Sequence, residues 1–162
     1  MTMTFLLIAS ACMMDDDDEE TAATTTSSAS TGGGAPLETV HASGTVSASA
    51  TIAEGNDGIG TLYVGAFDRC SHTEGTLLGA AIVPDADLSQ AVPFSIAELP
   101  RTTVYLAGFL DDNENADTMA PLPDAGDLIY GDPGDGILSC VEVDLSDGDV
   151  AGVSIDFNGV ED

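Results

Sequence analysis

Oxygen-bearing side chains recur at alternate positions, Asp111, Asn113, Asn115 and Asp117, within the run Asp111-Asp112-Asn113-Glu114-Asn115-Ala116-Asp117. Alternate oxygens in a loop can converge on one hard cation. Calcium takes about 6–8 oxygen ligands at roughly 2.3–2.6 Å, from carboxylates, amides and backbone carbonyls. The spacing follows the opening of calcium loops of the D-x-[DN]-x-[DN]-G type. It departs from an EF-hand, because Ala116 stands where glycine makes the sharp turn and Leu122 where a bidentate Glu belongs. Asp124, Asp127, Asp132 and Asp135 are further oxygen donors in the segment that follows. The expectation is a calcium site on Asp111, Asn113, Asn115 and Asp117. The alternative is a polar loop joining two strands, in a chain where Asp is common throughout. Magnesium fits less well, since it demands near-ideal octahedral geometry and keeps its waters.

The cysteines are the second source of chemistry. Phe5 to Ala9 is an apolar run, far short of the roughly 20 residues that span a bilayer. Ala9-Ser10-Ala11 then lead into Cys12. This pattern resembles a bacterial lipoprotein signal, in which small residues precede the cysteine that receives lipid. The resemblance implies a lipid anchor on Cys12, and so the membrane as a partner; an ordinary secretion signal with an incidental cysteine is the alternative. Met13, rather than Asp, follows the cysteine, which implies the outer membrane. Cys70 and Cys140 are then left over. Outside the cytoplasm an even remainder predicts a disulfide, worth about 4 kcal/mol for a loop of roughly 70 residues. Two free buried thiols are the alternative.

Other chemistries find little support. The sequence has no Walker-type phosphate loop, no dinucleotide fingerprint and no zinc-like Cys/His cluster. His72 is two residues from Cys70, and such neighbours on a strand or tight loop point different ways. Both His72 and His41 are expected to face solvent. Carboxylate pairs abound, so no one pair is informative. A glycosidase needs a larger cleft and aromatic platforms, whereas this chain has three tyrosines, five phenylalanines and no tryptophan. A non-enzymatic protein is therefore expected, with a small carboxylate-using hydrolase as the third reading.

The 162 residues suffice for one domain. The formal charge is −27, with Arg69 and Arg101 as the only strong cations and no lysine. Such a chain repels nucleic-acid phosphates and anionic headgroups, which argues against nucleic acid as a partner. Apolar residues make up 43% and fall in short runs, enough to bury a small aliphatic core. The acidity alone is the composition of a protein suited to salty water.

Three segments emerge. Residues 1–12 form the signal. Residues 13–36 form a linker, in which Asp15 to Glu20 repel and extend and Thr21 to Pro36 is a flexible Ser/Thr/Gly-rich tract. Residues 37–162 form the folded domain. From about Val40 the apolar period becomes two. Val46, Ala48, Ala50 and Ile52 alternate with Ser47, Ser49 and Thr51. Thr61 to Phe67 reads as a strand buried on both faces. Leu77 to Val83 reads as a strand stopped by Pro84-Asp85. Val92 to Ile96 follows, with Pro93 marking an edge or a bulge. Thr103 to Leu110, the short Leu128 to Tyr130, Ile137 to Leu145 and Val150 to Phe157 complete the set. Pro121 to Gly136 reads as a long binding-prone loop. About seven short strands with turn signals between them predict an all-β antiparallel sandwich, preceded by a disordered tether.

The order Gly44-Thr45-Val46, Gly60 to Phe67, Val92 to Ile96 and Thr103 to Asn113 resembles small secreted prealbumin-like β-sandwiches, among them carboxypeptidase-regulatory-like modules. The resemblance covers about residues 40–158 and implies a module that supports, spaces or binds. The whole layout is similar to lipoproteins of myxobacteria and their relatives. The expected function is a non-enzymatic, lipid-anchored envelope module whose partner is an envelope protein or a glycan, with calcium stiffening one end. The alternative is a calcium-dependent binder of a small ligand or glycan.

Overall fold

Alternating apolar residues dominate the chain beyond residue 38, and they fold as strands. The computed structural model describes residues 38–71, 74–117, 121–132 and 137–161; the signal and linker segments, Cys12, His72 and Asp135 lie outside them. Among the described residues eleven strands run β1 Thr39–Ala48, β2 Ile59–Phe67, β3 Leu77–Asp87, β4 Val92–Pro100, β5 Thr103–Asp111, β6 Leu128–Ile129, β7 Gly131–Asp132, β8 Ile137–Leu138, β9 Val141–Asp144, β10 Val150–Phe157 and β11 Gly159–Val160. No helix is present among the described residues.

The strands form two main sheets and a small hairpin. One sheet has the order β10-β1-β4, with β1 parallel to β10 and antiparallel to β4. The other has the order β11-β6-β5-β2-β3, all antiparallel, and β9 joins it along β5. β7 and β8 pair with each other. Every second residue of each main strand enters one common core. Val40, Val46, Phe94, Ile96, Leu99, Ile155 and Phe157 come from the first sheet. Leu62, Val64, Leu106, Leu110 and Leu128 come from the second. The core is mostly aliphatic, as the composition implies, but Phe157 is the largest fully buried side chain. Gly108 lies opposite its ring, and a Cβ there would press on the Tyr63 carbonyl of the neighbouring strand.

Four boundaries differ from the sequence reading. β1 begins at Thr39 and ends at Ala48, because Ser49 and Ala50 both donate their N–H to the Phe157 carbonyl at 2.9 and 3.0 Å and turn the chain out. Ile52 is therefore not a strand residue. β3 does not stop at Pro84. The register passes from Leu62↔Val83 to Gly60↔Ala86, so Pro84 and Asp85 together oppose Thr61 as a bulge. Asp85 takes φ 51° there, and the missing proline N–H costs nothing at an unpaired position of the sheet's last strand. Ile137 to Leu145 is two strands, and Cys140 lies between them rather than inside one. Pro121 to Gly136 is not one loop, since β6 and β7 fall within it. Pro93 does sit on an edge, in β4, the last strand of its sheet.

β2 is buried on both faces only in part. Leu62, Val64 and Ala66 face the core. On the outer face Tyr63 is buried, while Ile59 is exposed and Thr61, Gly65 and Phe67 are half-buried.

Candidate functional site

β5 runs out at Asp111, whose side chain points to the outer face of the larger sheet beside Thr61 and is only 3% exposed. A buried carboxylate must find donors, because desolvation without them costs several kcal/mol. Asp111 accepts the N–H of Asn115 at 3.0 Å on one oxygen and the N–H of Ala116 at 3.1 Å on the other. That cap folds the loop back over the sheet. Glu114 takes the left-handed φ of 57° to make the turn. Ala116 then packs on a small outer cluster of Tyr63, Phe109 and Ile129, in which the Tyr63 and Phe109 rings stack at 4.9 Å.

The neighbouring acids fasten other segments to this loop. Asp112 accepts the N–H groups of Asp57 at 3.2 Å and Gly58 at 2.9 Å, which ties down the β1–β2 connection. Asn56 donates its amide to the Gly126 carbonyl at 2.9 Å. Asn113 accepts the N–H of Asn115 at 3.2 Å and donates to the Asp124 carboxylate at 3.0 Å. Asp127 is wholly buried; its two oxygens accept the N–H of Asp112 at 3.3 Å and of Asp124 at 3.0 Å. Its carbonyl accepts the Glu161 N–H at 2.9 Å, so the last described residue is held at the same end.

The electrostatics follow from this crowding. Burial pushes the Asp127 carboxyl up to about 6; the N–H bonds from Asp124 and Asp112 oppose the rise, and the nearby carboxylates of Asp124 and Asp111 add to it. The Tyr63 hydroxyl is also raised, first by burial and then by the charge of Asp111.

The four residues expected to hold calcium thus lie in one loop with unequal roles. Asp111 is buried at its base, and Asn113, Asn115 and Asp117 are exposed. Asp111 and Asn113 both direct oxygens at backbone N–H groups of that loop. Among the described residues, no three His, Cys, Asp or Glu side chains are disposed to hold a metal ion. Asp124 and Asp127 do join the same end. Of Asp132 only the backbone is described. His41 is exposed, and its backbone N–H donates to Asp149 at 2.9 Å.

In the sequence Asp127 stands out only as an oxygen donor, and Asp112 and Asn56 do not stand out as site residues. A signal was available. Each sits at a strand end or in a turn-forming run, where short polar side chains satisfy loose backbone donors.

Cys70 and Cys140 form a disulfide with a Cα–Cα distance of 5.6 Å and a sequence separation of 70. It links the exit of β2 to the entry of β9, across the strand β5 that pairs with both.

No protein-family model matches the chain, and no curated protein or solved structure matches it. The described residues form an all-β module of two packed sheets, with a disulfide on one side and a carboxylate-fastened acidic end.

Proposed function

We propose that this is a non-enzymatic, lipid-anchored protein of the cell envelope, held through Cys12 in the outer membrane, whose acidic domain binds a partner or supports the envelope. One observation carries the non-enzymatic part. Asp111, Asp112 and Asp127 are the most chemical-looking acids, and all spend their oxygens on backbone N–H groups. That use of their oxygens supports a fastening role. The Cys70–Cys140 disulfide supports an oxidising compartment. The test is metabolic labelling with an alkyne fatty acid followed by membrane fractionation. Label on the wild type and none on Cys12→Ser is the expected result. An unlabelled wild-type protein released to the medium would sink the anchor.

The second reading is a calcium-dependent binder of a small ligand or glycan at the acidic end. It is favoured by the repulsion that Asp124 and Asp111 exert on Asp127, which a cation would relieve. Glycan retention that persists in chelator would dismiss it.

A further inference from the structure

The outer faces of the two sheets differ in kind. On the three-stranded sheet, Ser43 pairs with Ser95, Thr45 with Ser154 and Ser47 with Asp156, a polar surface that solvent covers well. The larger sheet is apolar outside. Its outward rows are Ile82–Tyr63–Phe109–Ile129, then Ala80–Gly65–Ala107, then Leu77–Phe67–Tyr105. The acidic loop covers the Tyr63, Phe109 and Ile129 end of this face. The β2–β3 side is left open: Ile82 is 58% exposed, Leu77 56% and Ile59 44%. Between the two large rows lie only small residues, and the Phe67 ring and Leu77 lean toward Gly65, where a Cβ would meet them. Three large aliphatic side chains on neighbouring strands of one face are costly to leave in water, and patches of this kind rimmed by polar groups mark interaction sites.

The rim identifies the occupant by its charge. Asp87 pairs with Ile59 at one end, beside the Asp85 bulge, and Glu142 and Asp144 flank Tyr105 and Thr103 at the other. The chain has only two arginines to answer them, and each is already paired: Arg69 with Asp68 at 3.4 Å and Arg101 with Glu38 at 3.3 Å. A second copy would bring the same excess of acid to the interface. An acidic or phosphate-bearing partner would be repelled. Pro84 and the bulge blunt the β3 edge against strand addition, so the side-chain face is what remains.

We infer that the outer face of β2 and β3, centred on Leu77, Phe67 and Ile82, docks a protein segment in which apolar side chains alternate with Lys or Arg. This rests on the reading of the domain as a binding module and gives that module a surface and a partner class.

The test uses the full-length chain and a fluorescein-labelled 14-residue peptide alternating leucine and lysine. One control peptide replaces leucine with serine, and another replaces lysine with glutamate. Saturable binding of the first, at least tenfold weaker for both controls and at least tenfold weaker for the double variant Leu77→Thr/Ile82→Thr, is expected. The melting temperature of that variant checks that it is folded. Equal binding by the variant and the wild type would reduce the effect to bulk charge and overturn the proposal. So would the absence of saturable binding. A concentration-dependent dimer of the wild type, lost in the double variant, would make a second copy the occupant. None of these outcomes depends on lipid at Cys12, so the anchor and the docking face fail separately.

Discussion

Asp127 accepts the backbone N–H of Asp112, fifteen residues before it, at 3.3 Å, and so closes the acidic loop with a carboxylate that is itself wholly buried. The bond holds the loop's two ends together across the end of the larger sheet. It also places an ionisable group where ionisation is disfavoured.

A pH dependence follows. The carboxyl is raised from 3.8 to about 6 in the folded chain. A raised acid contributes stability that is fully present below its unfolded pKa and lost as pH rises through its folded one. Thermal melts should therefore show higher stability at pH 5 than at pH 7, by about 1 kcal/mol. Asp127→Asn should flatten the profile there. An unchanged slope in that variant would assign the effect to overall charge.

Reduction should weaken the domain strongly. The disulfide closes a loop of 70 residues, and chain entropy puts its loss at about 4 kcal/mol. Guanidinium unfolding of the Cys70→Ala/Cys140→Ala double variant measures this. A change below about 1 kcal/mol would mean that the β5 pairings hold the same segments together unaided.

Gly108 should not accept a side chain. It sits in β5, between the Tyr63 carbonyl and the Phe157 ring. Gly108→Ala forces a shift in a central strand, and overpacking of this kind costs about 1–3 kcal/mol. Gly148→Ala, where a Cβ would meet nothing, is the contrasting case. Its cost comes only from the backbone, at φ 136°, and urea midpoints should rank Gly108→Ala as the worse of the two.

Calcium is best tested by difference. A ligand that binds only the folded state stabilises by about 2.7 kcal/mol at a hundredfold its dissociation constant. Melts in chelator and in about 1 mM calcium at matched ionic strength should then separate. Asp111→Asn lowers stability without any ion, because its carboxylate caps two N–H groups. The informative quantity is therefore the calcium-induced shift, which Asp117→Asn should also abolish. A shift equal to that given by magnesium would end the calcium reading.

Much of the fold was legible because period-two alternation is a direct imprint of a two-faced strand. Leu62, Val64 and Ala66 announce their sheet in that way. The bulge at Pro84–Asp85 was not legible. A proline after an apolar run reads as an end, and only the opposing Thr61 reveals that the ladder resumes. The disulfide followed from parity among three cysteines. The acidic loop was legible as a place and not as a role. Asp111 and Asp127 are indistinguishable in sequence from solvated neighbours, and burial on the sheet is what turns their oxygens toward backbone donors.

The parallel pairing of β1 with β10 has a mechanical consequence. Because the first and last long strands run the same way, Thr39 lies at one end of the sheet and Glu161 at the other, where the acidic loop lies. A chain held by its N-terminal residues and loaded at that far end is pulled along the strands. The registered pairs from Ala42↔Val150 to Ala48↔Phe157 then slide against one another and share the load. They must yield together, where a hairpin pulled at its open end would unzip bond by bond.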